Sequence, residues 1–261
     1  MKDSKIYSEK VQKVFRSLKR KHGKQTRSEY EDPVDAVIYA VISEDLTEKQ
    51  TEQTLKKIKK NFVNINDLRV ALVQEITETI RADDEKTALH IAARLKAILQ
   101  AVFKKYNVVT LAPLNRMGKR FSRKILDNLN GTSEYVADYC TLTALNGHAV
   151  PVNATMLKYL RENELVHPKS DDADIRGFLT RLVNAKDAYQ FYALLRAESE
   201  RQQSKPAKKR TVKKTKKAKK TKNTKEKTTQ KAAKKKKPAK KKTKKTTNKK
   251  AKKKTKAKAS K

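Results

Sequence analysis

The sequence predicts an all-α protein in which a multi-helix domain is followed by a disordered, Lys-rich tail. Three observations point there. Apolar residues recur at helical spacing through the first 200 residues, helix-start and helix-stop residues punctuate them, and no convincing run of period-two alternation marks a strand. The charge is also segregated. Of the 66 lysines and arginines, 32 fall within residues 201–261 against a single acid, Glu226, while the first 200 residues carry 34 against 27 acids. The tail holds no aromatic residue, no Gly, and only Val212 as a larger aliphatic. It cannot bury enough apolar surface to offset the entropy of ordering.

The elements follow in order. Ile6, Val11, Val14, Phe15 and Leu18 share one face of a first, basic helix within residues 1–31. Asp32-Pro33 sets an N-cap before a Pro at the first helical position and opens "PVDAVIYAVIS". That stretch is apolar almost all round, as a buried central helix must be. Thr47 with Gln50 makes a capping box for a third helix ending near residue 61. Short helices are expected around residues 67–74 and 76–81. A long one, carrying Ala88, Ile91, Ala92, Leu95, Ile98, Leu99, Val102 and Phe103, runs from near Asp83 and stops at Asn107. Another spans roughly residues 119–129, and a short turn separates it from a helix over 134–146 with Gly147 as its C-cap. After the extended Val150-Pro151-Val152, helices from Ala154, over 173–183 and over 187–200 close a domain of residues 32–200.

Asn130-Gly131-Thr132-Ser133 therefore joins two helices as a candidate helix–hairpin–helix. Gly131 permits a backbone conformation closed to other residues. Such a turn leaves amide N–H groups unpaired at the start of the following helix, up to Glu134, where the helix dipole also favours an anion. A phosphate held there positions DNA without reading its sequence. A Gly between helices is also ordinary loop chemistry, so context has to decide.

The context is a resemblance to the endonuclease III superfamily of DNA glycosylases, the helix–hairpin–helix group with a Gly/Pro-rich loop and an Asp. Its hairpin pattern, L-P-G-V-G-x-K-T-A, falls on Leu129 to Ala137, and its later P-V-D-T-H falls on Pro151 to Thr155. Upstream, "AVISEDLTEKQTEQTLKKI" is similar to the family's L-L-S-x-Q-x-T-D, with Ser43, Thr47 and Glu48 matching. Lys86 matches in the stretch similar to S-K-A-x-x-I. The resemblance runs from about Asp32 to Leu182.

It implies removal of a flipped base by breaking its glycosidic bond. Positive charge builds on the sugar, and the carboxylate of P-V-D answers it. Here that position is Asn153, a neutral amide and a very poor base. The Lys by which some members form a Schiff base is replaced by Tyr135, as in relatives without lyase activity. Asp45 stands for a Gln pressed into the helix gap, Asn130 for the hairpin's Pro and Ser133 for its second Gly. Asp138 reads as a solvated helix face, Asp171 or Asp172 as a helix cap, and His148 as a packing or loop residue. His22, His90 and His167 show no metal-ligand spacing. No catalytic residue is assigned. The single cysteine, Cys140, reads as core and allows neither a disulfide nor the iron–sulfur cluster of many relatives, so no metal or other cofactor is expected.

The tail resembles in composition the C-terminal tails of linker histones. Its clusters at Lys208, Lys209, Arg210, Lys213, Lys214 and at Lys234, Lys235, Lys236, Lys237 are expected to bind DNA phosphates. No apolar run approaches the ~20 residues of a membrane span, and the charged N-terminus lacks a signal-peptide core. The expected partner is double-stranded DNA, bound largely independently of sequence, with no membrane. The expected setting is intracellular and DNA-associated, in a bacterial nucleoid or cytoplasm, or in a nucleus if eukaryotic. Base excision is expected to be weak or lost. The alternatives are an active monofunctional glycosylase of base-excision repair and a histone-like DNA compactor.

Overall fold

In the computed structural model, which describes residues 3–81 and 83–204, eleven α-helices and one 3-10 helix form among the described residues and no strand does. They are α1 (Ser4–His22), α2 (Pro33–Asp45), α3 (Glu48–Asn61), α4 (Ile65–Val70), α5 (Val73–Ile80) and α6 (Glu85–Tyr106). The 3-10 helix (Ala112–Arg116), α7 (Lys119–Asp127), α8 (Glu134–Thr143), α9 (Ala154–Glu162), α10 (Asp172–Leu182) and α11 (Ala185–Gln203) follow. The tail lysines named above, and the expectation of a disordered tail, lie outside the described residues.

Helix α2 is the centre, for the reason its sequence suggests. Nine of its thirteen residues are buried, and it packs against α3, α6, α8 and the 3-10 helix. Asp32 caps it by accepting from the Val34 N–H at 2.9 Å, and the same Oδ1 accepts from the Leu111 N–H at 2.9 Å. One carboxylate thus fixes both the start of α2 and the chain leaving α6. The Thr47–Gln50 capping box opens α3, Asp84 caps α6, and Asn107 ends α6 in the left-handed region at φ 57°. A short polar side chain tolerates that conformation.

Helices α1 and α9 pack on α11, which also meets α8. Only part of the predicted α1 stripe is used. Val11 and Leu18 are buried and Phe15 meets Phe191 edge-on at 5.1 Å, but Ile6 stays 59% exposed. A stripe is buried only where a partner helix covers it. Polar clamps complete the joint: Lys19 reaches Asp187 at 2.5 Å, and Glu198 accepts from Lys21 at 3.0 Å and from Arg201 Nε at 3.0 Å. No described helix is long and apolar enough to cross a membrane.

Helix α8 ends at Thr143, three residues earlier than periodicity suggests. Asn146, at φ 51°, takes the left-handed turn expected of Gly147. Gly147 answers a different need, which is space. Its N–H donates to the Thr141 carbonyl at 2.7 Å, and a Cβ on it would lie 2.5 Å from Thr141 Cγ2.

Two outcomes follow from these contacts. Gly147→Ala should cost about 1–3 kcal/mol by overpacking, read as a lower midpoint in urea with an unchanged slope. Burial disfavours the Glu198 carboxylate, but the hydrogen bonds and charges of Arg201 and Lys21 outweigh it and pull its pKa from 4.5 down to about 2. A group depressed in the folded state stabilises above its unfolded value and loses that contribution as pH falls through the folded one. Thermal melts should show wild type above Glu198→Gln at neutral pH, with the gap closing between pH 4.5 and about 2.

Candidate nucleic-acid interface

The turn between α7 and α8 forms the predicted hairpin. Gly131 takes φ 93° and lies hard against α6: a Cβ would stand 3.1 Å from Ile98 Cγ1 and 3.2 Å from the Arg94 carbonyl oxygen. Both conformation and space therefore demand glycine. The Thr132 N–H donates to the Leu129 carbonyl at 3.1 Å and closes the turn. Ser133 caps α8, its Oγ accepting from the Val136 N–H at 3.2 Å. Among the described residues, no acceptor takes the N–H of Gly131, Ser133 or Glu134. These amides stand at the positive end of α8, where an anion can receive them. Asn130 and Glu134 are exposed, Gly131, Thr132 and Ser133 half-buried, and the Glu134 carboxylate pairs with Arg176 of α10.

The hairpin is braced by Glu44, at the end of α2. Its Oε2 accepts from Ser133 Oγ at 2.7 Å and from the Arg94 guanidinium at 2.8 Å. Arg94 Nε donates in turn to the Gly131 carbonyl at 3.1 Å. The Glu44 backbone carbonyl accepts from Asn153 Nδ2 at 3.2 Å. Asn153 Oδ1 caps α9 by accepting from the Met156 N–H at 3.0 Å. Both ends of that amide are thus occupied in holding the chain.

Tyr135 is equally engaged. Its hydroxyl lies 3.2 Å from Ser43 Oγ, 2.9 Å from the Tyr192 hydroxyl and 3.1 Å from the Arg196 guanidinium. Arg196, only 2% exposed, also donates to the Tyr192 hydroxyl and the Leu46 carbonyl, each at 3.0 Å, and to Glu200 at 2.8 Å. Burial pushes the Tyr135 and Tyr192 hydroxyls above the ordinary phenol value, so both stay protonated. A cleft of about 310 Å³, lined by Glu44, Asp45, Thr47, Asn153 and Glu200 among others, opens beside Asn153, and Tyr135 is not on its wall. The largest hollow, about 920 Å³, lies along α3 to α5 and is lined by none of these residues.

No protein-family model matches the chain, and no curated protein does. Solved structures do. A non-covalent endonuclease III–DNA complex superposes with a TM-score of 0.58 at 13% identity, over 72% of this chain and 84% of that one. The chain has the endonuclease III-like DNA-glycosylase fold. The 3-methyladenine DNA glycosylase of H. pylori bound to 1,N6-ethenoadenine matches with a TM-score of 0.56 at 14% identity, over 77% of this chain and 99% of that one. A Clostridium acetobutylicum 8-oxoguanine glycosylase/lyase in complex with dsDNA gives 0.58 at 14%, over 77% and 71%.

Within this glycosylase fold the remaining candidates sort cleanly. Asp138 is not a solvated residue: it is 9% exposed and pairs with Arg123 of α7 at 2.5 Å. Burial raises its pKa despite that partner. The helix-face reading failed because α7 folds back over this side of α8. Asp171 caps α10, accepting from the Asp174 N–H at 2.6 Å, while Asp172 pairs with Arg161 at 2.6 Å. His148 Nε2 lies 2.7 Å from the Val183 carbonyl, a loop contact. Cys140 is fully buried, and burial pushes its thiol up. Among the described residues no cluster of His, Cys, Asp or Glu could hold a metal ion.

Sequence reading missed Glu44, Arg94, Tyr192 and Arg196. Their partners lie 37 to 150 residues away, and only the Ser43 match, one residue from Glu44, pointed near them. Arg196→Met leaves a buried carbonyl and Glu200 without their partner, and urea unfolding should show a loss of about 3 kcal/mol. Tyr135→Phe removes one hydroxyl from the same network and should cost about 1 kcal/mol.

Proposed function

We propose that this chain is a DNA-binding protein on a glycosylase scaffold. It holds duplex DNA, largely independently of sequence, through the hairpin amides and the Lys-rich tail, and its base-excision activity is weak or lost. The observation that carries this reading is the fate of the two positions at which the family resemblance expects chemistry. Asn153 spends its amide on the α9 cap and on Glu44. Tyr135 is sealed among Ser43, Tyr192 and Arg196. A neutral amide cannot answer positive charge on a sugar, and a buried phenol cannot form a Schiff base. The grip asks for less. It needs a glycine turn, a capped helix and free amides, which this hairpin supplies. Endonuclease III in complex with DNA, on the same fold, supports DNA as the partner. This role needs no iron–sulfur cluster or other cofactor.

The tail supplies affinity by another route. Each lysine that neutralises a phosphate releases condensed counterions, so log K falls by about 0.9 per contact for each decade of salt. Tethering also raises the effective concentration of the folded domain at DNA. One observation favours a second reading, an active monofunctional glycosylase: the Glu44 carboxylate lines the same cleft as Asn153. Arg94 and Ser133 already hold that carboxylate, which leaves it poorly placed to serve a sugar cation.

Single-turnover assays on duplexes carrying uracil, an oxidised pyrimidine or a mispaired adenine should release no base above background. Asn153→Asp should keep the α9 cap, since Asp caps as well as Asn, and should still release none, because Tyr135 and Arg196 keep the neighbouring volume filled. Release by wild type would overturn the loss of chemistry; release by the variant alone would show that only the carboxylate was missing. Removing residues 205–261 should flatten the salt dependence of duplex binding. An unchanged slope would remove the tail from the mechanism.

A further inference from the structure

Helix α7 leads into the hairpin, and its two faces differ sharply. Ser122, Ile125 and Leu126 are buried and fix its orientation. Opposite them, Phe121 is 58% exposed and Arg120, Lys124 and Asn128 are exposed beside it. Phe121, Lys124 and Asn128 stand at i, i+3 and i+7, with Arg120 one turn from Lys124, so the four form one stripe. Among the described residues, neither Arg120 nor Lys124 makes an ion pair or a side-chain hydrogen bond. The one acid of the helix, Asp127, is held by Arg123 at 2.8 Å. The stripe is therefore an aromatic ring between two uncompensated cations.

A lone exposed apolar side chain is ordinary. The flanking charges and the position decide what this one suits. Arg120 and Lys124 attract phosphates, yet a phenyl ring gains nothing from a phosphate and nothing from bases stacked inside an intact duplex. It gains from the open face of an unpaired base, which is how aromatic side chains between basic ones hold single strands. From Phe121 to Asn128, where the hairpin turn begins, the helix advances about 10 Å. That equals about three nucleotides at ~3.4 Å per step along one strand. A strand whose phosphate sits on the hairpin amides thus passes the ring within a few nucleotides.

We propose that the outer face of α7 is a base-stacking contact. Phe121 stacks on an unpaired base, Arg120 and Lys124 hold the phosphates on either side, and the protein prefers DNA that carries unpaired bases next to the phosphate on the hairpin. This inference rests on the hairpin reading, and the two can fail separately.

The test uses the full chain with a fluorescent thymidine single strand and a fully paired duplex of equal length, titrated by anisotropy at a salt concentration that weakens the tail's contribution. The tail meets phosphates in both ligands. Phe121→Ala should weaken single-strand binding about tenfold, the loss of one stacked base, and leave duplex binding unchanged. Phe121→Leu, apolar but without a ring, should behave like the alanine variant, and Phe121→Trp should restore binding. Equal affinities for wild type and Phe121→Ala, or equal losses on both ligands, would overturn the proposal. Gly131→Ala, strained and crowded at the hairpin, should weaken both ligands alike. If it binds both as wild type does while Phe121→Ala keeps its selective loss, the hairpin clamp falls and the stacking contact stands. Ultraviolet crosslinking of the thymidine strand, mapped by peptide mass, should mark Phe121; crosslinks that spare it would count against the contact.

Discussion

The guanidinium of Arg196 is the interaction on which the rest of this structure leans. It lies almost wholly out of water and joins α11 to Tyr135 on α8 and to the Leu46 carbonyl at the end of α2. A buried charge is tolerated only when its donors are satisfied and a counter-charge stands near. Two tyrosine hydroxyls, a carbonyl and Glu200 meet both conditions. The group of α1, α9 and α11 is thereby locked to the helices around α2. The same network occupies the position where the family resemblance expects a reactive lysine. Stability and base chemistry compete for one volume, and stability holds it.

Glu44 does for the hairpin what Arg196 does for the core. It collects Ser133, Arg94 and, through its backbone, Asn153, so that α2, α6, the turn and α9 meet at one residue. The grip and the chemistry of this fold consequently rest on different parts. The grip depends on backbone amides, a glycine and a brace. The chemistry depends on two side chains, each replaceable without disturbing the turn. Asn153 illustrates the point, since an N-cap accepts Asn as readily as Asp. A chain can therefore lose a glycosylase's carboxylate and keep its hold on a phosphate.

The outer face of α7 extends that hold in a direction the turn alone does not suggest. Its buried side is ordinary helix packing, and it is this packing that presents Phe121, Arg120 and Lys124 together to solvent. A phosphate clamp and an exposed ring on one continuous helix–turn–helix surface suit a strand whose backbone and bases are both accessible.

Much of this was legible in the sequence because it is local. Asp32-Pro33, the Thr47–Gln50 box, the stop at Asn107 and the turn at Gly131 are written in residues that bond to neighbours three or four positions away. The segregation of 32 basic residues into the last 61 positions is likewise a property of the chain itself. What only the tertiary structure decided is which side chains meet. Ile6 lies outside because no helix covers it, and Asp138 lies inside because α7 does. Asn146 makes the turn assigned to Gly147, which is needed instead for close approach to Thr141. Arg196, 150 residues from Leu46, fills the space behind Tyr135. Helix signals depend on neighbours along the chain, whereas burial and pairing depend on partners that only folding brings within reach.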